Sequence, residues 1–243
     1  MDSMHQPRYD GRNWDELRAV KFIPDYVEFA EGAVLIETGK TRVLCCVTLE
    51  ETVPAWLAGS GRGWLTAEYA MLPRSAPKRI PRETHGLGGR THEIRRLIGR
   101  SLRAAVDLDR LGERSLLVDC DVLQADGGTR TASITGGYVA LGLALKKLAQ
   151  NGILPPDLLR PPVAATSVGV IDGQVCLDLC YQEDSRAEVD MNVVMTAEGK
   201  FIEVQGTAEG EPYDRATLER MLELAQKGIY RLFEIQQVAL EEG

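Results

Sequence analysis

Ser115-Leu116-Leu117-Val118-Asp119-Cys120-Asp121-Val122-Leu123, followed by Gln124-Ala125-Asp126-Gly127-Gly128-Thr129-Arg130-Thr131-Ala132, is the stretch that decides the fold. The first nine residues are apolar and rich in β-formers, and read as a strand. Ile134 to Gln150 reads as a helix carrying Tyr138, Leu141, Leu145 and Leu148 on one face, stopped by Asn151-Gly152 and sealed by Pro155-Pro156. Two glycines, a hydroxyl and a guanidinium therefore sit where a strand hands over to a helix N-terminus, which has free N–H groups and partial positive charge. Glycine lets an anion approach the backbone, and Arg130 adds a planar, always-charged fork suited to phosphate. A Gly-rich turn capped by Thr131 is the alternative, and the stretch alone leaves it open. The Gly-Lys-Ser/Thr ending of a Walker A loop is missing.

Upstream, Val27–Ala30, Ala33–Glu37 and Thr41–Leu49 read as three antiparallel strands joined by turns at Glu31-Gly32 and Gly39-Lys40. The glycine-rich loop Gly59–Gly63 leads into Trp64–Leu72, and Pro73–Gly89 reads as one long loop, of the kind that is functional or mobile. Thr91 to about Leu108 has a helical stripe of Ile94, Leu97, Ile98, Leu102, Ala105 and Val106, with Arg96, Arg100 and Arg103 on the other side. Those three arginines have the pattern of a solvated face. Arg90 differs, because it follows Gly88-Gly89 at the start of this helix, a second glycine-plus-arginine entrance. Downstream, Ala164–Ile171, Val175–Tyr181, Glu188–Met195 and Phe201–Gln205 read as strands, with a type I′ turn at Asp172-Gly173, and Asp214–Gln237 as a closing helix. Strands, helix, strand, helix, strands, helix predict an α+β fold, a mixed sheet with helices packed on it. No stretch has the composition of a linker, so residues 1–243 read as a single domain.

The 243 residues are 44% hydrophobic and 26% charged, which fits a globular protein with a sizeable core. No apolar run reaches the roughly 18–20 residues of a membrane span, and Met1–Gln6 lacks the basic and apolar segments of a secretory signal. Five cysteines, none in a Cys-x-x-Cys pair, read as reduced buried thiols, and His5, His85 and His92 have no metal-ligand spacing. A cytoplasmic location follows as the expectation. The net charge of −8 argues against a protein that coats nucleic acid. Yet Arg74 to Arg103 holds nine Lys/Arg against Glu83 and Glu93, a local basic field on an acidic body suited to handling a polyanion in one place.

Near the second run of strands, Asp184 falls in a loop, and Asp190 and Asn192 alternate away from Val189, Met191, Val193 and Met195. Asp184 and Asp190 have the chemistry to share a hard divalent cation such as Mg²⁺. Ordinary surface acids have the same spacing, and periodicity does not say whether the pair faces the arginines.

From Arg8-Tyr9-Asp10-Gly11-Arg12 to about Tyr213 the chain resembles the ribonuclease PH family of phosphate-dependent 3′→5′ exoribonucleases, which trim transfer RNA precursors. The resemblance is carried by Gly63-Trp64-Leu65-Thr66-Ala67-Glu68-Tyr69, Met71-Leu72-Pro73-Arg74, Gly89-Arg90-Thr91, Leu97-Ile98-Gly99-Arg100, Gln124–Ala132, Asp190–Met195 and Glu203–Glu209. It implies a ribonuclease PH-like fold, related to the ribosomal protein S5 domain 2-like fold. It implies phosphate binding at Arg90, Gly128, Thr129 and Arg130, and catalytic, metal-associated roles for Asp184 and Asp190. RNA contacts fall on Arg74, Arg79 and Arg82 of the long loop. One departure is that Ser75-Ala76-Pro77-Lys78 stands where the family pattern has an Ala-Thr-containing run, and the loop from Arg82 to Gly89 is slightly short.

The resemblance further implies inorganic phosphate as co-substrate, Mg²⁺ as the metal, and a homohexameric ring built as a trimer of dimers. The partner would be the 3′ end of an RNA, with neither DNA nor membrane. A hydrolytic metal-dependent nuclease would leave the phosphate-directed arginines without a purpose. A silent ring subunit would lack part of the arginine or aspartate set, and here every such position is filled.

Overall fold

The computed structural model describes residues 8–84 and 86–242. Its first sheet has five strands in the order β1-β2-β3-β5-β4: β1 Val20–Pro24, β2 Gly32–Thr38, β3 Thr41–Glu50, β4 Trp64–Met71 and β5 Ser115–Gln124. β1, β2, β3 and β5 pair antiparallel, while β4 runs parallel to β5. Parallel pairing requires a crossover, and the segment between β4 and β5 supplies it: α1 Gly89–Arg103, then the short α2 Leu108–Leu111. The second sheet is antiparallel, in the order β7-β6-β8-β9: β6 Val163–Ile171, β7 Gln174–Leu177, β8 Val189–Thr196 and β9 Phe201–Ala208. α3 Thr129–Gln150 packs between the sheets, the single-turn α4 Tyr181–Asp184 follows β7, and α5 Arg215–Glu242 covers the second sheet. The architecture is α+β, as the sequence predicts.

α3 organises the core. Every residue from Thr131 to Leu145 is buried, so the helix has no solvent side until its last turn. Gly136 permits a close approach to the sheet, since a Cβ there would lie 2.7 Å from Ile36 and 3.0 Å from the Cys45 sulfur. Large fully buried side chains such as Ile36, Leu116, Ile134 and Leu141 fill the main cluster. A second cluster joins the inner face of β6 and β8 (Val168, Met191, Val193) to Met221, Ile229 and Phe233 of α5. Two carbonyls, of Thr135 and Val163, accept hydrogen bonds from the buried Gln236 amide at 2.9 and 3.1 Å, which ties α5 to α3 and β6.

Several expectations are corrected. No strand forms at Val27–Ala30: Asp25 takes a left-handed φ of 51°, the next residues bend, and Phe29 is 96% exposed. The meander starts instead at Val20–Pro24. α1 ends at Arg103 rather than near Leu108, and α2 is a separate turn whose Arg110 N–H donates to the Asp107 carboxylate. α3 begins five residues before Ile134, and its N-cap is Gly128. Thr131 does not cap it, its hydroxyl donating back to the Gly128 carbonyl at 2.9 Å. The strand expected to run to Tyr181 stops at Leu177, because Asp178 adopts φ 53° and Tyr181–Asp184 turns helical. Asp184 therefore closes a helical turn instead of lying in a loop. The Asp172-Gly173 hairpin holds as predicted, with φ 50° and 74°. All five cysteines are free thiols, four buried and Cys46 partly exposed. His5 and His85 lie outside the described residues. No helix among the described residues is long and apolar enough to cross a membrane.

Candidate active site

A cavity of about 620 Å³ opens between the two halves of the molecule. Its lining includes Arg90, Gly128, Thr129, Arg130, Asp184 and Asp190, so the fold gathers residues separated by as many as a hundred positions. The two helix entrances supply the first four. α1 starts after Gly88 and α3 after Gly128. Neither start has a side-chain cap or an acidic residue in its first turn. The α3 end is thus left for an anion, whereas at the α1 end the Glu83 carboxylate approaches Gly88 and Thr91. The neighbouring α2 shows the contrast, being capped by Asp107 and carrying Asp109 in its first turn.

At the α3 entrance, Gly127 and Gly128 are both left-handed, with φ 74° and 63°, conformations that favour glycine. The Thr129 hydroxyl shares a 2.9 Å hydrogen bond with the buried Tyr69 hydroxyl. Arg130 is aimed from the opposite side: its Nη1 donates to Gln205 Oε1 at 2.9 Å and to Glu93 Oε1 at 3.2 Å, and the Gln205 amide also donates to Glu93. Tyr69, Glu93 and Gln205, which hold Thr129 and Arg130 by these contacts, were missed by the sequence reading. Gln205 lies inside a family-like string, but only the structure shows that it meets Arg130.

Across the cavity, Asp184 ends α4 and Asp190 projects from β8 beside Asn192, on the face opposite Met191 and Val193. Burial raises the pKa of Asp184, while Arg90, Arg130 and Arg18 pull it back. Asp190 is pushed up to about 6, first by burial and then by the charge of Asp184, with Arg130 and Arg90 opposing. Those influences place both carboxylates within electrostatic reach of the arginines, which spacing along the chain leaves open. Two carboxylates and an amide oxygen are hard donors, few enough for Mg²⁺, which keeps several waters when bound. Among the described residues no group of three or more His, Cys, Asp or Glu forms a closed metal cage.

The long loop borders the cavity through Ala76, Pro77, Lys78 and Ile80. Arg74, Arg79 and Arg82 are exposed on that loop and do not line the cavity, and Arg74 donates to the Pro77 carbonyl at 3.1 Å. Arg100 and Arg103 are not purely solvated: Arg100 lies 3.5 Å from Glu203, and Arg103 stacks 4.5 Å above the Trp64 ring.

Comparison with known proteins decides the family. Domain 1 of the 3′ exoribonuclease family matches residues 16–146, and its domain 2 matches 161–228. A ribonuclease PH of Corynebacterium efficiens is 57% identical over 235 residues, covering 96% of both chains. The chain belongs to the ribonuclease PH family, the phosphate-dependent 3′→5′ exoribonucleases. A ribonuclease PH of Dehalococcoides mccartyi is 55% identical over 231 residues, 94% of this chain and 96% of that one. Among solved structures, an Archaeoglobus fulgidus exosome with RNA bound to the active site superposes with a TM-score of 0.80 at 22% identity, over 94% of this chain and 92% of that one. Rice Rrp46 gives 0.78 at 19% identity, over 96% and 100%. These two show that the ribonuclease PH fold is shared.

Proposed function

We propose that this ribonuclease PH family member trims the 3′ ends of transfer RNA precursors by phosphorolysis in this cavity, its two halves acting as one unit. The observation that carries the reading is the meeting of two uncapped, arginine-bearing helix entrances with a carboxylate pair in one space. Inorganic phosphate is held by Arg90, Arg130, the Thr129 hydroxyl and the Gly128 and Thr129 amides. One of its oxygens bonds to the phosphorus of the terminal phosphodiester in line with the upstream 3′ oxygen. That P–O3′ bond breaks, the 3′ oxygen takes up the proton that the attacking hydrogen phosphate gives up, and a nucleoside diphosphate leaves. Phosphate is already anionic, so the chain's task is to offset repulsion between two anions, which the clustered arginines do. Asp184 and Asp190 would hold Mg²⁺, which supplies further neutralisation of phosphate charge.

The exposed Arg74, Arg79 and Arg82 bind the RNA backbone ahead of the cavity. A homohexameric ring, a trimer of dimers, gathers six such loops and gives an acidic chain a basic channel. A cytoplasmic setting fits this task. The test is to incubate the protein with Mg²⁺ and a transfer RNA carrying extra 3′ nucleotides, with and without phosphate. Nucleoside diphosphate released only with phosphate is expected. Nucleoside monophosphate without phosphate would mean hydrolysis, and RNA binding without release would mean a silent subunit.

A further inference from the structure

The phosphate loop and the carboxylate turn belong to different halves of the chain, so something must hold them in register. We propose that Arg18 is a positioning residue for phosphate. Its guanidinium, locked to Asp178, draws the carbonyls of Asp126 and Gly127 away from the cavity and leaves the N–H groups at the start of α3 facing the anion. The proposal rests on the phosphate reading of this site and names what makes that site competent.

Arg18 and Asp178 are 5% and 3% exposed, far from the solvated state usual for such residues. Asp178 accepts from the Arg18 backbone N–H at 2.9 Å, from its Nε at 3.0 Å and from its Nη2 at 2.7 Å. Burial by itself raises the pKa of Asp178, yet the charge and hydrogen bonds of Arg18 outweigh it and keep the carboxyl below its ordinary value. With its charge matched, Arg18 has donors left for the loop: Nη1 reaches the Asp126 carbonyl at 2.5 Å and Nη2 the Gly127 carbonyl at 3.5 Å. Thr41 adds a second hold, its hydroxyl donating to the Gly127 carbonyl at 2.7 Å and accepting from the Asp126 N–H at 2.9 Å. Carbonyl oxygens turned toward a bound anion would repel it, so engaging them elsewhere favours binding.

The same ion pair is tied to the strand beside the carboxylates, since Ser167 pairs with Asn192 of β8. Asp178 holds an uncommon left-handed φ of 53°, and strain of this kind persists only where surrounding contacts over-determine it. From there the Asp178 N–H donates to the Ser167 carbonyl at 2.7 Å and the Leu179 N–H to the Ser167 hydroxyl at 3.0 Å, with Ser167 on the cavity wall. The loops touch backbone to backbone, since a Cβ on Gly127 would lie 2.6 Å from the Leu179 carbonyl. Arg18 does not line the cavity, so it acts through the loop it holds.

The experiment is steady-state phosphorolysis of a 3′-extended transfer RNA with phosphate varied, for wild type, Arg18→Met, Arg18→Lys and Thr41→Val. Thermal melts and RNA affinity without phosphate accompany it. Arg18→Met is expected to raise the phosphate KM about tenfold or more, with RNA affinity held within about twofold and a large part of kcat recovered at saturating phosphate. Arg18→Lys, which keeps the charge and loses the fork, falls between, and Thr41→Val shifts the same KM less. A folded Arg18→Met with the wild-type phosphate KM, altered only in its melting temperature, would overturn the proposal. If Arg18→Met does not fold, Arg18→Lys and Thr41→Val decide it by the same criterion. A wild type that turns over without phosphate would overturn the phosphate reading itself, a result visible before any variant is made.

Discussion

The two helix entrances that meet in the cavity are built differently. The α3 entrance is half-buried, with Thr129 buried, and is held from several sides: Arg18 and Thr41 take its carbonyls, Tyr69 its hydroxyl, and Glu93 with Gln205 its arginine. The α1 entrance is exposed and follows the long loop, secured by Glu83, whose carboxylate accepts from the Gly88 N–H at 3.2 Å and the Thr91 hydroxyl at 3.0 Å. A fixed cradle thus faces a more open arm. Fixed dipoles stabilise developing charge without reorganising, whereas an open arm suits a substrate that must be admitted and released for every nucleotide removed.

Substitutions can break or sharpen that contrast. Arg130→Ala should have the largest effect, lowering phosphorolysis by about a thousandfold while the melt stays near wild type. Activity surviving in it would remove the cradle from the mechanism. Arg90→Ala, on the open arm, should raise the phosphate KM by about ten- to a hundredfold, and an effect equal to that of Arg130 would erase the difference between the entrances.

Gly127→Ala should destabilise the protein by about 1–3 kcal/mol, read by denaturant titration, because the residue is left-handed and its Cβ would meet the Leu179 and Cys180 backbone. Asp190→Asn tests the opposite wall. The folded pKa of Asp190 is raised to about 6, so between the unfolded value and 6 the folded state binds the proton more tightly. Stability therefore falls as pH rises through that window. The amide should raise stability at pH 7 in EDTA by something on the order of 2 kcal/mol and change little at pH 4, while activity is lost. The smallest effect is expected at Gly89→Ala, where open space surrounds the added methyl. Its stability should stay within about 0.5 kcal/mol of wild type.

Legibility followed the range of the signal. The strand–glycine–helix handover at Leu123–Arg130, the Asp172-Gly173 turn and the alternation of Asp190 with Met191 are local and could be read. Val20–Pro24 was missed because Val20-Lys21-Phe22 offers a single cycle of alternation before the strand ends in proline, and Val27–Ala30 was misassigned because β-rich composition yields to the left-handed Asp25 before it. The pattern of α3 suggested one apolar face, whereas small residues such as Gly136 let both sheets cover it. The residues proposed to bind phosphate were legible as motifs. Those that aim them were not: Arg18 meets Asp178 across 160 positions, and Gln205 meets Arg130 across 75. No periodicity encodes such pairs.

β8 carries a constraint of parity. Asp190 and Asn192 face the cavity because Val189, Met191 and Val193 face the core, and a strand offers only two sides. If losing or gaining one residue in Ser185–Glu188 made the strand slip by one position against β6, a valine or methionine would come to the cavity and an aspartate would be buried under α5. With β8 pinned between β6 and β9, any change in the length of that turn falls on Asp184 and alters its distance from Asp190.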